Sequence, residues 1–408
     1  MSKFARRTGR WLTRLRRRFY LLNDTFTTDL AGGAVNGTDA EPGPGTRAVV
    51  DTNSKLALVG GVASFATGGA AANDPALRFT PVIQRAPGRT VTGSFSISAA
   101  GLDIGWDANL TASPSDSVRA NGTTLQVRQN NTTTLSVGAI VLGTTYQIAV
   151  VWRTVGALYF IKGGTFTNWT LIAVGNLGSY AEGYMVASAV GTTSVGVVQY
   201  LRSPKLFWLP SPLLSDGFGS TFGLSDGLGH AEGVAEGRGR GGDGLTYVQV
   251  GTWATSAGAV ACTVLSGGLG ITHATLTSAD VIATVKVTRA GGVGGLVLRY
   301  VDASNYITCY HDGTNVLLVK RVAGVDTTVQ TTAATYVAGA ELRVYATGSA
   351  FRIYYNNAIV GTEQTIADAG LQSAANHGLY TTNVGNTFDD LAIYARGTGG
   401  EYAALDTF

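Results

Sequence analysis

The feature that most constrains this chain is an internal repeat. Several short stretches recur in the same order at an offset of about 190 residues, and a supersecondary unit repeated at a fixed separation indicates two domains of one kind. The matched pairs are NDTFTTDLAGG (from 23) with SDGFGSTFGLSDG (from 215), SFSIS (94) with TVKVT (284), TTLQVRQNNTT (123) with TNVLLVKRVAG (314), YQIAVVW (146) with ELRVYA (341), and GALYFIKGG (156) with GSAFRIYYNN (348).

Within each repeat, apolar residues alternate with polar ones over short runs separated by Gly, Asn, Asp and Thr. The clearest runs span residues 91–97, 146–152, 284–288 and 351–355. Period-2 alternation is typical of β-strands with one buried face. Only 13% of the 408 residues are charged and 56 are Gly, which suits turn-rich sandwiches rather than helical bundles. The sequence therefore predicts an all-β protein.

Five segments are predicted along the chain. Pro210 and Pro212 mark the seam between the repeats, because proline interrupts strand pairing. The segments are a basic amphipathic anchor at 1–23, a first and divergent β-sandwich at 24–209, a linker at 210–213, a second sandwich at 214–396 and a C-terminal tail at 397–408.

The second repeat resembles a laminin-G-like domain of the concanavalin A-like lectin/glucanase superfamily. The resemblance is carried by DGF at 216–218, VLRYVDASNYITCYHDG at 297–313, TNVLLVKRVAGV at 314–325, FRIYYNNAIVGT at 351–362 and FDDLAIYA at 388–395. The first repeat is linked to this family only by its similarity to the second repeat. It ends with SPKLFWLP where the second repeat has FDDLAIYA. The resemblance implies two tandem jelly-roll sandwiches, each built from two curved antiparallel sheets.

The first 23 residues differ from everything that follows. They hold eight of the 29 basic residues and none of the 26 acids, which leaves the rest of the chain with a net charge of −5. On a wheel of about 100° per residue, the apolar residues of this head form one stripe and most basic residues lie on another side. The stripe consists of Phe4, Trp11, Leu12, Leu15, Phe19 and Leu22, and the basic docking residues are Arg14, Arg16, Arg17 and Arg18.

An amphipathic helix or arm of this kind has three candidate partners. A groove on another protein suits the stripe, an anionic membrane surface suits the basic amphipathic pattern, and nucleic acid suits the arginines by charge alone. A solvated tail without a partner is the fourth alternative. The apolar register favours a protein partner, so we predict docking on other subunits of an oligomeric assembly. The longest apolar run of the head, residues 19–22, is too short for a secretory signal.

No catalytic pattern is recognisable. Glucanases of the superfamily carry an E-x-D-x-E type strand, and no such strand occurs; the nearest acid pair, Glu232 and Glu236, lies in a Gly-rich stretch. The motifs of serine hydrolases, zinc proteases and P-loop nucleotide-binding proteins are also missing from the sequence. We therefore predict that the protein is not an enzyme, with a divergent glycoside hydrolase as an alternative.

Metal and cofactor signals are weak. The histidines His230, His273, His311 and His377 have no ligand spacing, and two cysteines, Cys262 and Cys309, exclude a four-cysteine zinc site but leave a single disulfide open. Laminin-G-like domains often bind calcium at their rim, which the resemblance extends to Asp302, Asp312, Asp389 and Asp390. Since no calcium-loop pattern is present and aspartates are common in turns, we predict no cofactor, with calcium as the alternative.

Sugar binding requires exposed aromatic rings, on which the C–H faces of sugars stack. The alternation places several aromatic residues of the second repeat on an outward face, with Tyr354 opposite the face of Phe351, Ile353 and Tyr355. The alternative is a set of half-buried structural tyrosines. The carbohydrate-binding candidates are Trp253, Tyr300, Tyr306, Tyr310, Tyr345 and Tyr354.

Taken together, these features predict a structural or host-attachment protein of a larger assembly. By fold-level analogy we place it in a bacteriophage virion, in a tail or capsid-decorating position, docked through residues 1–23 and projecting two lectin-like domains. The alternative is a carbohydrate-binding module that is extracellular or on a cell surface and is exported without a secretory signal.

Overall fold

The computed structural model describes residues 20–407 except 70–73, 100, 109–113, 131–132, 178–179, 206–212, 217–246 and 257–258. The described residues form two compact units. Unit 1 contains those up to Lys205 and those from Gly397 onward, and unit 2 contains those from Leu213 to Arg396.

The described part of unit 1 is built from sixteen strands and one short 3₁₀ helix. The strands are β1 (Tyr20–Asp24), β2 (Thr46–Val50), β3 (Leu56–Val59), β4 (Val62–Phe65), β5 (Ala76–Thr80), β6 (Ile83–Gln84), β7 (Thr90–Ala99), β8 (Gly101–Asp107), β9 (Asp116–Asn121), β10 (Thr124–Gln129), β11 (Thr133–Ala139), β12 (Tyr146–Trp152), β13 (Ala157–Gly163), β14 (Phe166–Val174), β15 (Glu182–Ala189) and β16 (Val195–Pro204). The 3₁₀ helix spans Ala403–Thr407.

These strands form two antiparallel sheets that pack face to face. One sheet has the order β14-β13-β12-β7-β16-β4-β3 with β1 beside β16, and the other has the order β11-β10-β9-β8-β15-β5-β2 with β6 beside β15. Trp106 of one sheet stacks on Trp152 of the other with ring centroids 4.0 Å apart. The Trp106 indole N–H also donates to the Val150 carbonyl at 3.2 Å. The core of unit 1 therefore lies between its sheets.

The described part of unit 2 contains fifteen strands and a four-residue helix. The elements are β17 (Leu214–Asp216), β18 (Tyr247–Val250), β19 (Thr252–Ser256), β20 (Ala259–Val264), β21 (Gly270–Thr275), β22 (Val281–Thr288), β23 (Gly294–Asp302), β24 (Asn305–His311), β25 (Asn315–Val322), β26 (Val325–Ala333), β27 (Ala340–Thr347), β28 (Ala350–Tyr355), β29 (Ala358–Thr365), α1 (Ala369–Gln372), β30 (Asn376–Thr381) and β31 (Thr387–Ala395).

Unit 2 repeats the strand order of unit 1. Its sheets run β29-β28-β27-β22-β31-β20-β19, with β17 beside β31, and β26-β25-β24-β23-β30-β21-β18. Each strand except β6 thus has a counterpart in the other unit. One core cluster contains residues of both sheets, among them Phe388 and Leu342 of the first sheet and Leu318 of the second. The predicted all-β class with sandwich-like antiparallel sheets is confirmed.

The period-2 alternation explains why these segments are strands. The four runs with the clearest alternation lie in β7, β12, β22 and β28. In β10, for example, Leu125, Val127 and Gln129 are buried while the residues between them are partly exposed. One face of each such strand enters the core, and the free energy gained by burying it favours an extended chain.

The prediction of an amphipathic docking segment at residues 1–23 is wrong for its last residues. The helical wheel assigns Leu22 to the apolar stripe of an amphipathic helix or arm, but Tyr20–Asp24 is strand β1, in which Leu22 pairs with Ser203 of β16. Leu22 is fully buried, so it is not available for docking on a partner. Asp24 holds the strand end through a buried ion pair with Arg47, with 2.6 Å between Oδ2 and Nε.

The end of the chain belongs to unit 1. Residues 397–407, here called the C-terminal strap, contact β13 and β14. The Tyr402 ring packs edge-on against Phe160 with centroids 4.9 Å apart. Asp406 Oδ1 accepts hydrogen bonds from Lys162 Nζ at 2.6 Å and from Trp169 Nε1 at 2.9 Å. This segment, predicted as a tail outside both sandwiches, thus packs on the first of them.

Cys262 and Cys309 are both buried as free thiols, so they do not form the disulfide that the sequence left open. Among the residues that the structure describes, no helix has the length and apolar character needed to cross a membrane.

Candidate functional site

The six aromatic carbohydrate-binding candidates fall into three places. Trp253 is fully buried in the core of unit 2, against Phe388, so it is excluded as a sugar platform. Tyr345 and Tyr354 pair edge-on across β27 and β28 at 5.0 Å. Both are buried, Tyr354 to 1% exposure, so the outward exposure expected from alternation is wrong for them. Tyr300, Tyr306 and Tyr310 lie together on the other sheet.

Those three tyrosines belong to an aromatic surface on the side of the sheet that faces away from the core. Leu296 and Leu298 point into the main core, whereas Val297, Tyr300 and Tyr306 form a separate apolar cluster. A bulge in β23 between Leu298 and Asp302 interrupts the alternation. The surface, here called the tyrosine face, consists of His273, Tyr300, Tyr306, Tyr310 and Tyr380.

The rings of the tyrosine face contact one another in a continuous series. His273 stacks on Tyr300 with centroids 4.3 Å apart, and Tyr300 stacks on Tyr306 at 5.8 Å. Tyr306 then meets Tyr380 at 6.4 Å, and Tyr380 stacks on Tyr310 at 5.8 Å. His273, Tyr300 and Tyr306 are buried, but Tyr310 and Tyr380 are half-buried. The accessible part of the series is therefore its Tyr310–Tyr380 end.

Strand register explains how Tyr310 and Tyr380 meet. Gly295 of β23 pairs directly with Tyr310 of β24 on one side and with Tyr380 of β30 on the other. Since Gly295 has no side chain, the two rings can lean toward each other over it. A Cβ at Gly295 would lie only 2.1 Å from the Cys309 carbonyl oxygen. The close approach of the Cys309 carbonyl thus requires glycine at this position. The missing side chain leaves a space between Tyr310 and Tyr380, and the two rings fill it.

The same register extends the row over the whole sheet. Directly paired residues run from β18 to β26 in the order Val250, Ile271, Tyr380, Gly295, Tyr310, Leu317 and Thr331. Directly paired residues point to the same face. This cross-strand row is therefore an apolar line with the two half-buried tyrosines at its centre.

In the described part of the chain, the cation that contacts the tyrosine face is paired with a carboxylate. The Arg321 guanidinium lies 5.9 Å from the centre of the Tyr306 ring and pairs with Asp326 at 2.8 Å. Burial lowers the pKa of His273 to about 4, so its ring is neutral at pH 7. Burial also raises the pKa values of Tyr310 and Tyr380, which keeps both hydroxyls protonated. The face can stack with a ligand and exchange hydrogen bonds with it.

The structure also shows a carboxylate pair that sequence reasoning missed. Asp103 and Asp107 lie four residues apart on β8 and share the outer face of its sheet in unit 1. Each is fully buried and bound to an arginine: Asp103 Oδ2 is 2.9 Å from Arg119 Nε, and Asp107 Oδ2 is 2.8 Å from Arg78 Nε. A glycoside hydrolase requires one carboxyl that carries a proton and a second that reaches the sugar, and ion pairing of both opposes those roles.

The carboxylates considered for calcium are used in turns and ion pairs. Asp302 Oδ1 accepts from the Ser304 N–H at 2.7 Å, and Asp312 Oδ1 accepts from the Thr314 and Asn315 N–H groups at 2.8 and 2.7 Å. On β31, Asp390 pairs with Lys286 at 2.5 Å, and its neighbour Asp389 accepts from the Asp390 N–H. In the described part of the chain, His, Cys, Asp and Glu side chains form no group of three that could hold a metal ion.

Several predicted residues lie outside the described residues. These are the docking residues Phe4, Trp11, Leu12, Arg14, Leu15, Arg16, Arg17, Arg18 and Phe19, together with His230, Glu232 and Glu236. Docking through the head, the virion setting and the oligomeric state therefore stay predictions.

Sequence reasoning did not assign three residues to this site: Tyr380 and His273 of the tyrosine face, and Gly295 beneath it. Tyr380 alternates with the buried Leu379 in NHGLYT, which is a signal for an outward ring. What the alternation lacks is register: nothing in the sequence states that β30 pairs with β23 and places Tyr380 beside Gly295.

Neither a protein-family model nor a curated protein matches the chain. Among solved structures, the carbohydrate-binding module CBM66 from Bacillus subtilis is 19% identical over 36% of this chain and 95% of its own, with a TM-score of 0.31. The exoplasmic/lumenal domain of VIP36 bound to Ca²⁺ and Man3GlcNAc is 8% identical over 45% of this chain and 90% of its own, with a TM-score of 0.32. A glycosyl hydrolase family protein from Mycobacterium fortuitum is 14% identical over 45% and 99%, with a TM-score of 0.29. The concanavalin A-like assignment stays a prediction from the sequence.

Proposed function

We propose that this protein is a non-enzymatic carbohydrate-binding protein whose sugar site is the tyrosine face of unit 2. The observation that carries the proposal is the pair of half-buried rings, Tyr310 and Tyr380, stacked at 5.8 Å over Gly295. Aromatic rings held in place by their neighbours offer a flat apolar surface at little cost in side-chain entropy. The phenol groups at its edge supply hydrogen bonds that orient a polar ligand.

The absence of catalysis is part of this proposal. All five members of the tyrosine face are aromatic, and none carries a carboxylate. In unit 1, Asp103 and Asp107 are both held by arginines. A hydrolase would instead need two carboxyl groups flanking one bond of the sugar chain. We expect no release of reducing sugar from any glycan that the protein binds.

A glycan array probed with the full chain tests the proposal. Tyr310→Ala and Tyr380→Ala should each weaken binding by about 1 kcal/mol or more, roughly fivefold, because each removes a stacking ring. Tyr310→Phe should lose less affinity than Tyr310→Ala, since it keeps the stacking ring and removes only the hydroxyl. Tyr184→Ala, a change to a partly exposed tyrosine of unit 1, is the matched control and should have no effect.

Two results would overturn the proposal. One is an array without any bound glycan for the intact protein. The other is glycan binding that both alanine variants retain in full, because the sugar would then bind away from the tyrosine face.

A further inference from the structure

We infer that the ligand of the tyrosine face is a linear, uncharged sugar chain that lies along the cross-strand row, perpendicular to the strands. This inference rests on the proposed function and specifies its ligand. It excludes two other glycan classes: a single terminal sugar held at one spot, and an acidic glycan held by charge.

The length of the row indicates a chain. Val250, Ile271, Tyr380, Gly295, Tyr310 and Leu317 occupy six neighbouring strands in direct register. Neighbouring strands lie about 4.8 Å apart, so the row measures roughly 24 Å from end to end. Val250, Tyr380, Tyr310 and Leu317 are partly exposed, whereas Ile271 and Gly295 are buried, so a ligand would contact the row at these four side chains. A single sugar would cover only the central rings and leave both ends of the row unused.

The shape of the row indicates an extended ligand rather than one inserted end-on. Tyr380 and Tyr310 lie on strands that are not neighbours, so their Cα atoms are roughly 10 Å apart, yet their ring centroids are separated by 5.8 Å. The rings lean together over Gly295 and fill the gap that the glycine leaves. The centre of the row is therefore closed, and a ligand lies across it.

The charges indicate an uncharged ligand. The row itself contains no Lys, Arg, His, Asp or Glu. Among the residues that the structure describes, Arg321 is the cation that contacts the tyrosine face; it pairs with Asp326 at 2.8 Å and lies over the Tyr306 ring. His273 lies in the stacked series and is neutral at pH 7, because burial lowers its pKa. A carboxylate or sulfate on the sugar would lose its hydration at this face without gaining a cation.

Titration calorimetry of the full chain with oligosaccharides tests this inference. The probes are neutral cello-, xylo-, manno- and malto-oligosaccharides of one to six units, with oligogalacturonates of equal length as the anionic series. For at least one neutral series we expect affinity to rise by tenfold or more between one unit and six. We also expect less than a twofold change in Kd between 50 and 500 mM salt, since no ion pair forms.

Variants at one end of the row distinguish an oligosaccharide that binds along the whole row from a single sugar unit that binds at the central rings. Leu317→Ser should remove the gain from the longer oligosaccharides and leave the affinity for short ones unchanged. Val264→Ser is the matched control, because Val264 is 57% exposed and lies on β20 of the opposite sheet; it should bind like the wild type. Tyr310→Ala should weaken binding at every length that binds.

The outcomes divide between the two proposals. If one unit binds as tightly as six, if Leu317→Ser leaves the six-unit affinity unchanged, or if oligogalacturonate binds more tightly in a salt-sensitive manner, the inference is overturned while sugar binding at the tyrosine face stands. If none of these oligosaccharides and no array glycan binds, the proposed function fails and the inference fails with it.

Discussion

At the scale of single residues, Gly295 and His377 contribute to the geometry and the packing of unit 2. Gly295 has no side chain to show on any surface, yet its position between β24 and β30 sets the distance between the two accessible rings. His377 is fully buried behind the same sheet, where its Nδ1 accepts from the Arg299 N–H at 3.3 Å and its Nε2 lies 3.1 Å from the Ser278 carbonyl. Substitutions at both residues give testable predictions about the stability of unit 2. Unfolding of this unit can be measured with a thiol reagent, because Cys262 and Cys309 are buried free thiols that become reactive when the unit unfolds.

Gly295→Ala should destabilise unit 2 by about 1–3 kcal/mol, because its Cβ would meet the Cys309 carbonyl oxygen at 2.1 Å. Gly370→Ala is the control: nothing lies within 4 Å of a Cβ there, and Gly370 lies in the helix α1, so this change should be neutral or stabilise by up to about 1 kcal/mol. Labelling of Cys262 and Cys309 along a urea titration measures both variants. Equal midpoints for the two would contradict the prediction.

The stability of unit 2 should fall as the pH drops from about 6.5 to about 4. Burial lowers the pKa of His377 from 6.5 to about 4 in the folded state, and the pKa of His273 is lowered to the same value. In this window the unfolded chain binds protons that the folded chain does not, which favours unfolding. Above pH 6.5 this effect should vanish.

Replacing His377 by Gln should make that pH dependence shallower, whatever it does to stability at pH 7. The measurement is the urea midpoint of unit 2 at several pH values, read with a thiol reagent that reacts in acid. An unchanged slope would show that folding does not lower the pKa of His377, which would contradict the prediction.

At the scale of elements, short-range patterns predict strands well and fail at the ends of the chain. The alternation in residues 146–152 or 351–355 is a local property, and burial against the facing sheet stabilises the strand that it predicts. Leu22 fits the apolar stripe of a helix, but it also fits a strand beside β16, and pairing with Ser203 decides between them. Tyr354 shows the same limit, since alternation gives the direction of a side chain and not what covers it. Long-range contacts of this kind are not encoded in a local pattern.

The C-terminal strap is the element whose removal is most informative. Deleting residues 397–408 should destabilise unit 1, because the strap contributes the Tyr402 ring on Phe160 and the Asp406 hydrogen bonds to Lys162 and Trp169. Hydrogen exchange should show faster opening of β13 and β14. Amides of unit 2, such as those of β24, should exchange as before.

Tyr402→Ala tests the same element without shortening the chain. Tyr402 is only 4% exposed. Its replacement by Ala should lower the free energy of unfolding of unit 1 by up to about 5 kcal/mol, because a packed aromatic ring is lost. If neither the deletion nor this variant alters exchange in β13 and β14, the strap does not stabilise unit 1.

At the scale of the whole molecule, two units with one strand order carry different outer surfaces. The sheet that carries the tyrosine face in unit 2 corresponds to the sheet of unit 1 that carries the buried ion pairs of Asp103 and Asp107 with their arginines. The sequence repeat predicts the shared architecture, because core positions recur with it. It does not predict the surfaces, since outward positions are free to differ without changing the core.

Unit 2 should fold when residues 211–396 are expressed alone, because its core cluster draws on both of its own sheets. We expect one cooperative unfolding transition with both thiols protected in the native state. Residues 20–210 expressed alone should be less stable than the same unit in the full chain, since they lack the strap. Thiols in the isolated unit 2 that react at the rate of free cysteine would contradict this prediction.

The position of the strap has a consequence for synthesis. Translation proceeds from the N-terminus, so β13 and β14 leave the ribosome long before the residues that pack on them. At about 5–20 residues per second, the intervening unit takes roughly ten to forty seconds to be made. During that interval Phe160 lacks its contact with the Tyr402 ring, and Trp169 lacks the Asp406 carboxylate that accepts its indole N–H. Unit 1 thus precedes unit 2 along the chain but is completed after it.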